Sequence, residues 1–258
     1  MSTKHLRTMA IVTTLLVALG LVSCASTPVA TGAVGPPWAG ETFLPNYGEL
    51  KPIPTKNGQD YVYLVPGIED KLGHFQGGVM VDQPEVFISP KSPYTGAKPA
   101  DLEGIAEFVR EEFNKQLTAR GYKIVTEKGP GVVFIRLALT DLQLQAKSRN
   151  ILAYTPIGFV VSSVVRAVQD FLQKMDILNL AFQGQVLGGM SGEELAAAVI
   201  ARGGDGSKMS YSQFESLIDE YGQRTACRLD NGRVPAAQRI DCSDPDARKA
   251  RPILKSGG

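Results

Sequence analysis

A long alternating stretch, residues 132–145, limits what this chain can become more than any other feature. Val133, Ile135, Leu137 and Leu139 share one parity, and therefore one face of an extended chain, while Leu142 and Leu144 fall on the other. The phase flips near Thr140 and Asp141, which predicts a β-bulge or a strand end at that point. Residues 177–187 alternate again through Leu178, Leu180, Phe182 and Val186, and residues 188–192 read as the turn that follows. Shorter extended segments are predicted at 61–65, ahead of Pro66-Gly67, at 78–89 with Pro84 marking a bend or an edge, and at 122–126.

A helix is predicted over residues 99–120, where Leu102, Ile105, Ala106, Val109, Phe113 and Leu117 recur at three- and four-residue steps. Pro99 suits its first turn, Asp101 and Glu103 face the positive end of the helix dipole, and Gly121 suits the C′ position. A last helix is predicted over 210–228, with Tyr211, Phe214, Leu217, Ile218 and Tyr221 on its apolar side. Residues 151–175 are ambiguous. Thr155-Pro156 can start a helix whose stripe runs through Ile157, Val160, Val161, Val164, Val165, Val168, Phe171, Leu172 and Met175, yet the valines keep a partly extended segment open. Such a stripe can meet a membrane or a partner helix, but burial on a sheet is its commoner use. Residues 194–202 carry a conflict, because Ser191-x-x-Glu194 ahead of Ala196, Ala197 and Ala198 reads locally as a capping box that opens a helix.

The first 23 residues read as an address. Lys4 and Arg7 precede an uncharged, mostly apolar run over 9–22, shorter than the ~20 apolar residues that cross a bilayer. The run ends Leu21-Val22-Ser23-Cys24, which resembles the lipobox of bacterial lipoproteins. A sulfur is required there, since a thiolate readily forms a stable thioether with a diacylglyceryl donor, and the peptidase cutting before Cys24 must admit the small Ser23. Cys24 is therefore the expected lipidation site, with an ordinary secretory peptide or an uncleaved anchor as the alternatives. Ala25, in place of the Asp that retains enterobacterial-type lipoproteins, directs the expectation to the outer membrane of a Gram-negative host. Residues 25–40, ASTPVATGAVGPPWAG, carry no charge and read as a tether, spanning roughly 20–25 Å as a flexible coil. Trp38 within it could rest at the lipid interface, although a lone linker Trp more often packs on the nearby body.

Composition closes off several functions. With 27 Lys+Arg against 26 Asp+Glu there is no basic excess to neutralise a row of phosphates, so nucleic acid is not an expected partner. Two His and three Cys are too few for a multi-His or multi-Cys metal centre, and neither a metal nor a cofactor is expected. His74, the one His after the signal segment, lies among glycines and reads as an ordinary loop residue. Gly189-Met190-Ser191-Gly192 departs from G-x-S-x-G and reads as a hairpin turn. Gly203-Gly204-Asp205-Gly206-Ser207-Lys208 lacks phosphate-loop spacing. Asp241, Asp244 and Asp246 lack the Gly and distal Glu of an EF-hand, and Glu111 can pair with Lys115 on a solvated helix face. No catalytic residue emerges. With Cys24 lipidated, Cys227 and Cys242 are the two thiols left in an oxidising compartment and are expected to pair, closing a loop of ~15 residues; a redox-active pair would call for C-x-x-C. The basic end formed by Arg248, Lys249, Arg251 and Lys255 reads as solvated, with contact to anionic envelope polymers as the alternative.

The body opens with Glu41-Thr42-Phe43-Leu44-Pro45-Asn46-Tyr47-Gly48-Glu49-Leu50-Lys51-Pro52: a Phe-Leu pair, a Tyr, and a Leu just ahead of a Pro. Together with VDQPEVFIS and the helix after it, GVVFIRLALTDLQ and SGEELAAAV, this opening resembles the bacterial lipoprotein family known as domain of unknown function 3313, over residues 41–229. The resemblance implies an α+β fold: a small mixed or antiparallel sheet with two to three packed helices, preceded by a signal peptide and a flexible tether. It also implies that residues 194–202 are extended, against their local reading. It brings no activity and no catalytic residues, and the Cys227–Cys242 pair is not part of its pattern. The expected organisation is a lipoprotein signal peptide over 1–23, a lipid-anchored linker over 24–40, the α+β domain over 41–229 and a polar C-terminal tail over 230–258. The expected function is that of a periplasm-facing outer-membrane lipoprotein, held to the membrane by its N-terminal lipid. It would act without catalysis as an interaction or scaffold module for an envelope protein partner. The alternatives are a periplasmic carrier or binding protein for a small or lipidic ligand, with the 157–175 stripe as a pocket wall, and an envelope hydrolase relying on carboxylates or His74.

Overall fold

The computed structural model describes residues 43–55, 58–147, 163–203, 206–251 and 253. The signal segment, Cys24, the tether with Trp38, residues 151–162 of the ambiguous stripe, Gly204, Asp205 and Lys255 lie outside the described residues. The described strands are β1 (Lys51–Thr55), β2 (Gly58–Leu64), β3 (Gly78–Val81), β4 (Glu85–Ile88), β5 (Val132–Ala146), β6 (Met175–Gly188) and β7 (Glu194–Gly203). The helices are α1 (Ile68–Gly73), α2 (Pro99–Ala119), α3 (Ser163–Gln173), α4 (Tyr211–Asn231) and α5 (Pro245–Ala250). The fold is α+β, built on a mixed seven-stranded sheet of order β1-β2-β7-β6-β5-β3, with β4 also paired to β5. β3 and β4 run parallel to β5, and the other pairings are antiparallel.

The expected helix over 99–120 is α2, and its termination follows its residues. The Asp101 carboxylate accepts the Lys98 backbone N–H at 2.8 Å, and Pro99 fills the first position, where an N–H would have no partner. At the other end Gly121 takes φ +83°, so that the Gly121 N–H reaches the Thr118 carbonyl at 2.9 Å and the Tyr122 N–H reaches Leu117 at 3.0 Å. Ile105, Val109, Phe113 and Leu117 are fully buried against the sheet. Gly104 allows α3 to approach, since a Cβ there would stand 2.5 Å from Val168 Cγ2. Val168 and Leu172 of α3 are buried in the same core, which is the ordinary use of their stripe. α3 ends at Gln173, however, and Met175 opens β6 instead of closing the helix.

β5 carries the predicted bulge. Its register with β6 runs regularly to Thr140↔Ala181, shifts by one at Gln143↔Asn179, and is restored by a second irregularity, on the β6 side, at Leu144↔Ile177. Asp141 sits in the left-handed region at φ +48°, and its carboxylate accepts a hydrogen bond from the Asn179 amide. The inserted residue returns Leu142 and Leu144 to the face of Val133, Ile135, Leu137 and Leu139, and all six are buried in one core with α2, α3 and α4. Phe182 of β6 bridges the layers, with ring centroids 5.7 Å from Phe113 and 5.1 Å from Tyr221.

Other expectations need correction. Residues 78–89 are two short strands broken at 82–84, and residues 122–126 contribute only the isolated bridge Val79↔Ile124. β1 and α1 were not anticipated. β1 is an edge strand whose Pro52 and Pro54, at alternate positions, turn both missing N–H groups the same way, so neither interrupts the ladder to β2. Residues 194–202 are extended, as the family resemblance implied: β7 is paired on both sides, and Ser191 Oγ accepts the Glu193 N–H at 3.2 Å in the turn instead of capping a helix.

Across the sheet from the helices, Phe43, Leu44 and Leu50 are buried on Ala138, Ala197 and Val199, with Tyr47, Tyr61 and Tyr63 around them. The Tyr47 hydroxyl donates to Gln183 Oε1 at 2.8 Å, and the Gln183 amide donates to Thr140 Oγ1 at 2.8 Å, satisfying polar groups that lie under the segment. The Phe-Leu-Tyr-Leu opening is therefore the cover of the second sheet face. Asp141→Val is expected to lower stability by about 1–3 kcal/mol, because a β-branched side chain resists φ +48°, and Asp141→Gly is expected to lose less. Urea denaturation of both variants checks this.

Candidate functional site

The sequence candidates for chemistry do not converge. His74 is exposed just after α1, with its backbone N–H on the Lys71 carbonyl. Lys115 pairs with Glu112 at 2.9 Å, one turn position away from the expected Glu111. Glu111 is held above its usual carboxylate range by burial and then by Glu107 of its own helix, and Glu215 of α4 by burial and then by Glu112 of α2. Asp241 accepts from the Ser243 N–H and hydroxyl, and Asp244 caps α5. Among the described residues no group of His, Cys, Asp and Glu is arranged to hold a metal ion.

Two buried carboxylates organise the charged groups instead. Asp230, near the end of α4, is fully buried; it accepts from Arg120 Nε at 2.9 Å and from the Tyr122 hydroxyl at 3.0 Å, and Arg120 Nη2 completes a two-pronged ion pair. The residues after α4 fold back on this cluster. Arg120 donates to the Arg251 carbonyl at 3.1 Å, and the Asn231 amide group accepts from Arg251 Nη1 at 2.6 Å and donates to the Ile240 carbonyl at 3.0 Å. Arg248, expected to be solvated, is buried and donates to the Cys242 carbonyl at 2.7 Å. Cys227 and Cys242 are joined, with Cα atoms 5.7 Å apart.

Asp60 of β2 is the second carboxylate. It is 1% exposed and lies 2.9 Å from Arg202 of β7 and 3.4 Å from Arg224 of α4. Beside it, between the sheet and α4, is a partly open cavity of about 110 Å³. Gly184, Ala196 and Ala198 form its floor, Ile68 and Leu72 of α1 and Phe113 of α2 close it, and Tyr221, Thr225 and Arg228 line it from α4. The floor is hollow because small residues fall together on neighbouring positions of β6 and β7, where Gly184 pairs with Ala198. No local pattern in the sequence signals this space. None of the described residues of the expected pocket wall, the 157–175 stripe, is among its lining residues.

A family model described as "Protein of unknown function (DUF3313)" matches residues 40–225 of this chain. No curated protein matches it. Two structures of the PelC dodecamer from Paraburkholderia phytofirmans are similar at 11% identity with a TM-score of 0.30, covering 61% of this chain and 88% of theirs, a likeness too slight to bear on what this chain does.

Replacing both Cys227 and Cys242 by Ser is expected to lower stability by about 3 kcal/mol, the loop-closure value for a ring of this size, and to loosen the segment after α4. Thermal unfolding together with thiol labelling of the oxidised parent checks it; labelling of both cysteines in the native parent would remove the bridge.

Proposed function

Because the chain belongs to the DUF3313 family of proteins of unknown function, its role has to be sought in how it is held and what it presents, and we propose that it is a lipid-anchored envelope protein acting as a non-catalytic interaction module. The observation that carries this reading is Leu21-Val22-Ser23-Cys24 at the end of an uncharged apolar run. A cysteine there, preceded by a small residue, has the chemistry needed for thioether acylation and cleavage. Two or three acyl chains at ~0.8 kcal/mol per buried CH₂ hold a protein durably, so the body needs no embedded surface of its own. Among the described residues no helix is long and apolar enough to cross a membrane. The uncharged tether over 25–40 supports a body that works at some distance from the headgroups, and Ala25 favours the outer membrane.

For the partner, the support is the pair of outer strands. Ile53 on β1 is 41% exposed and Phe87 on β4 is 46% exposed, each an apolar side chain on a strand that among the described residues is paired on one side only. An envelope protein reading the body would find these edges accessible in the described structure.

Cys24→Ser is expected to leave an unprocessed, unacylated precursor that no longer depends on globomycin-sensitive cleavage. Intact-mass measurement of the N-terminal peptide and membrane fractionation test this. A parent chain that lacks the acyl mass, or is processed at another residue, sinks the anchor. A photo-crosslinker at Phe87 is expected to capture a defined envelope protein in cells, and a body that yields no adduct from either edge counts against the module.

A further inference from the structure

The cavity between β6, β7 and α4 holds a polar arrangement that packing alone does not explain. Tyr221 is 4% exposed, and its hydroxyl has no hydrogen-bond partner among the described residues. Buried hydroxyls are normally satisfied, so an open donor at a cavity wall marks a place where something polar belongs. Arg228, two turns along the same helix, also lines the cavity and makes no hydrogen bond or ion pair to a described residue. The one buried carboxylate nearby, Asp60, is already shared by Arg202 and Arg224, and the acids whose fields reach Arg228, Glu69 and Asp241, stand beyond ion-pair distance. Arg228 is half-buried, and burial, then Arg224, hold its guanidinium below its ordinary range, opposed by Glu69 and Asp241. Asp60, Gln185, Arg224 and Thr225 also line the cavity, Asp60 with its charge engaged by Arg202 and Arg224, and the remainder of the lining is apolar, with Gly184, Ala196 and Ala198 leaving the space open.

We propose that this cavity binds a small organic monocarboxylate, its apolar body on the Gly184, Ala196 and Ala198 floor, Arg228 as counter-charge and the Tyr221 hydroxyl as a waiting donor. Size limits the body. At about 110 Å³ the partly open cavity lies below the ~150 Å³ that admits a benzene-sized guest and well below the ~300 Å³ at which drug-sized pockets begin, so the enclosed apolar body has fewer carbons than benzene, about five at most beyond the carboxyl group, and is not a long acyl chain. Charge limits the head. The arginines around the cavity outnumber its one carboxylate, Asp60, and a planar carboxylate matches the forked donors of Arg228. The site does not depend on the lipid anchor, and either can fail alone.

Isothermal titration of the full chain in nanodiscs, with empty discs subtracted, tests it with three probes: hexanoate, hexan-1-ol and acetate. Hexanoate is expected to saturate one site per chain and to bind at least tenfold more tightly than hexanol, which lacks the charge, and acetate, which lacks the body. Arg228→Gln is expected to reduce hexanoate to the level of hexanol without changing hexanol. Gly184→Leu is expected to remove hexanoate binding without lowering Tm, since a Cβ at Gly184 meets nothing nearer than Leu137 Cδ2 at 3.5 Å and the rest of the side chain fills the cavity. Acetate matching hexanoate would reduce the site to surface anion binding, and hexanol matching hexanoate would reduce it to an unoccupied packing gap. Either ranking, measured on the unmutated chain, overturns the proposal however the variants fold, as does hexanoate binding that survives Gly184→Leu.

Discussion

The body depends on a break in the alternation of β5 at Asp141, matched by one in the facing part of β6. This strand pairs with β3 and β4 on one side and β6 on the other, and α2 lies across it. Strict alternation over its whole length would turn Leu142 and Leu144 away from the helices, exposing two large side chains and leaving the α3 end of the core unfilled. The bulge at Asp141 restores their direction. It does so at the cost of one non-glycine residue in the left-handed region, and an aspartate is among the few residues that tolerate it; the Asn179 amide on its carboxylate and Gln143 at 3.3 Å hold it there.

Around this sheet, buried charge adds stitching between elements that also share the apolar core. Asp230 gathers Arg120 from the end of α2 and Tyr122 beyond it, and the residues that return from the disulfide complete the same cluster. Asp60 gathers β7 and α4 through Arg202 and Arg224. Removing a carboxylate from such a cluster leaves buried cations without compensation, a larger loss than the pairs contribute as a net gain. Within that pattern Arg228 stands apart: it borders a largely apolar cavity, and no described carboxylate stands within ion-pair distance of it.

Legibility in the sequence followed how local each cause was. α2, β5, β6 and α4 were readable because periodicity and end signals lie within the segments themselves: Pro99, Asp101 and Gly121 mark α2, and Ser210, whose hydroxyl accepts from the Gln213 N–H, opens α4. The similar pattern at Ser191 and Glu194 misleads when read alone, because residues 194–203 find hydrogen-bond partners on β2 and β6, both remote in sequence. β1 was hidden by its prolines, tolerated only at an edge, and α1 is too short to show a period. The cavity could not be anticipated at all, since Gly184, Ala196 and Ala198 mean nothing until β6 and β7 are placed in register.

By itself, the order of residues determined the pattern that ends in Cys24, the pairing of the two remaining cysteines, the apolar face of α2 and the phase flip in β5, each of them set by neighbours a few positions away. Tertiary structure alone decided that the alanines after Ser191 form a strand, that Phe43, Leu44 and Leu50 cover the second sheet face, and that one arginine of α4 lines a largely apolar hollow without an ion-pair partner among the described residues. The physical reason is distance along the chain: a cap or a stripe is completed by residues within a turn or two, whereas a ladder, a cavity wall and a counter-charge come from segments that only folding brings together.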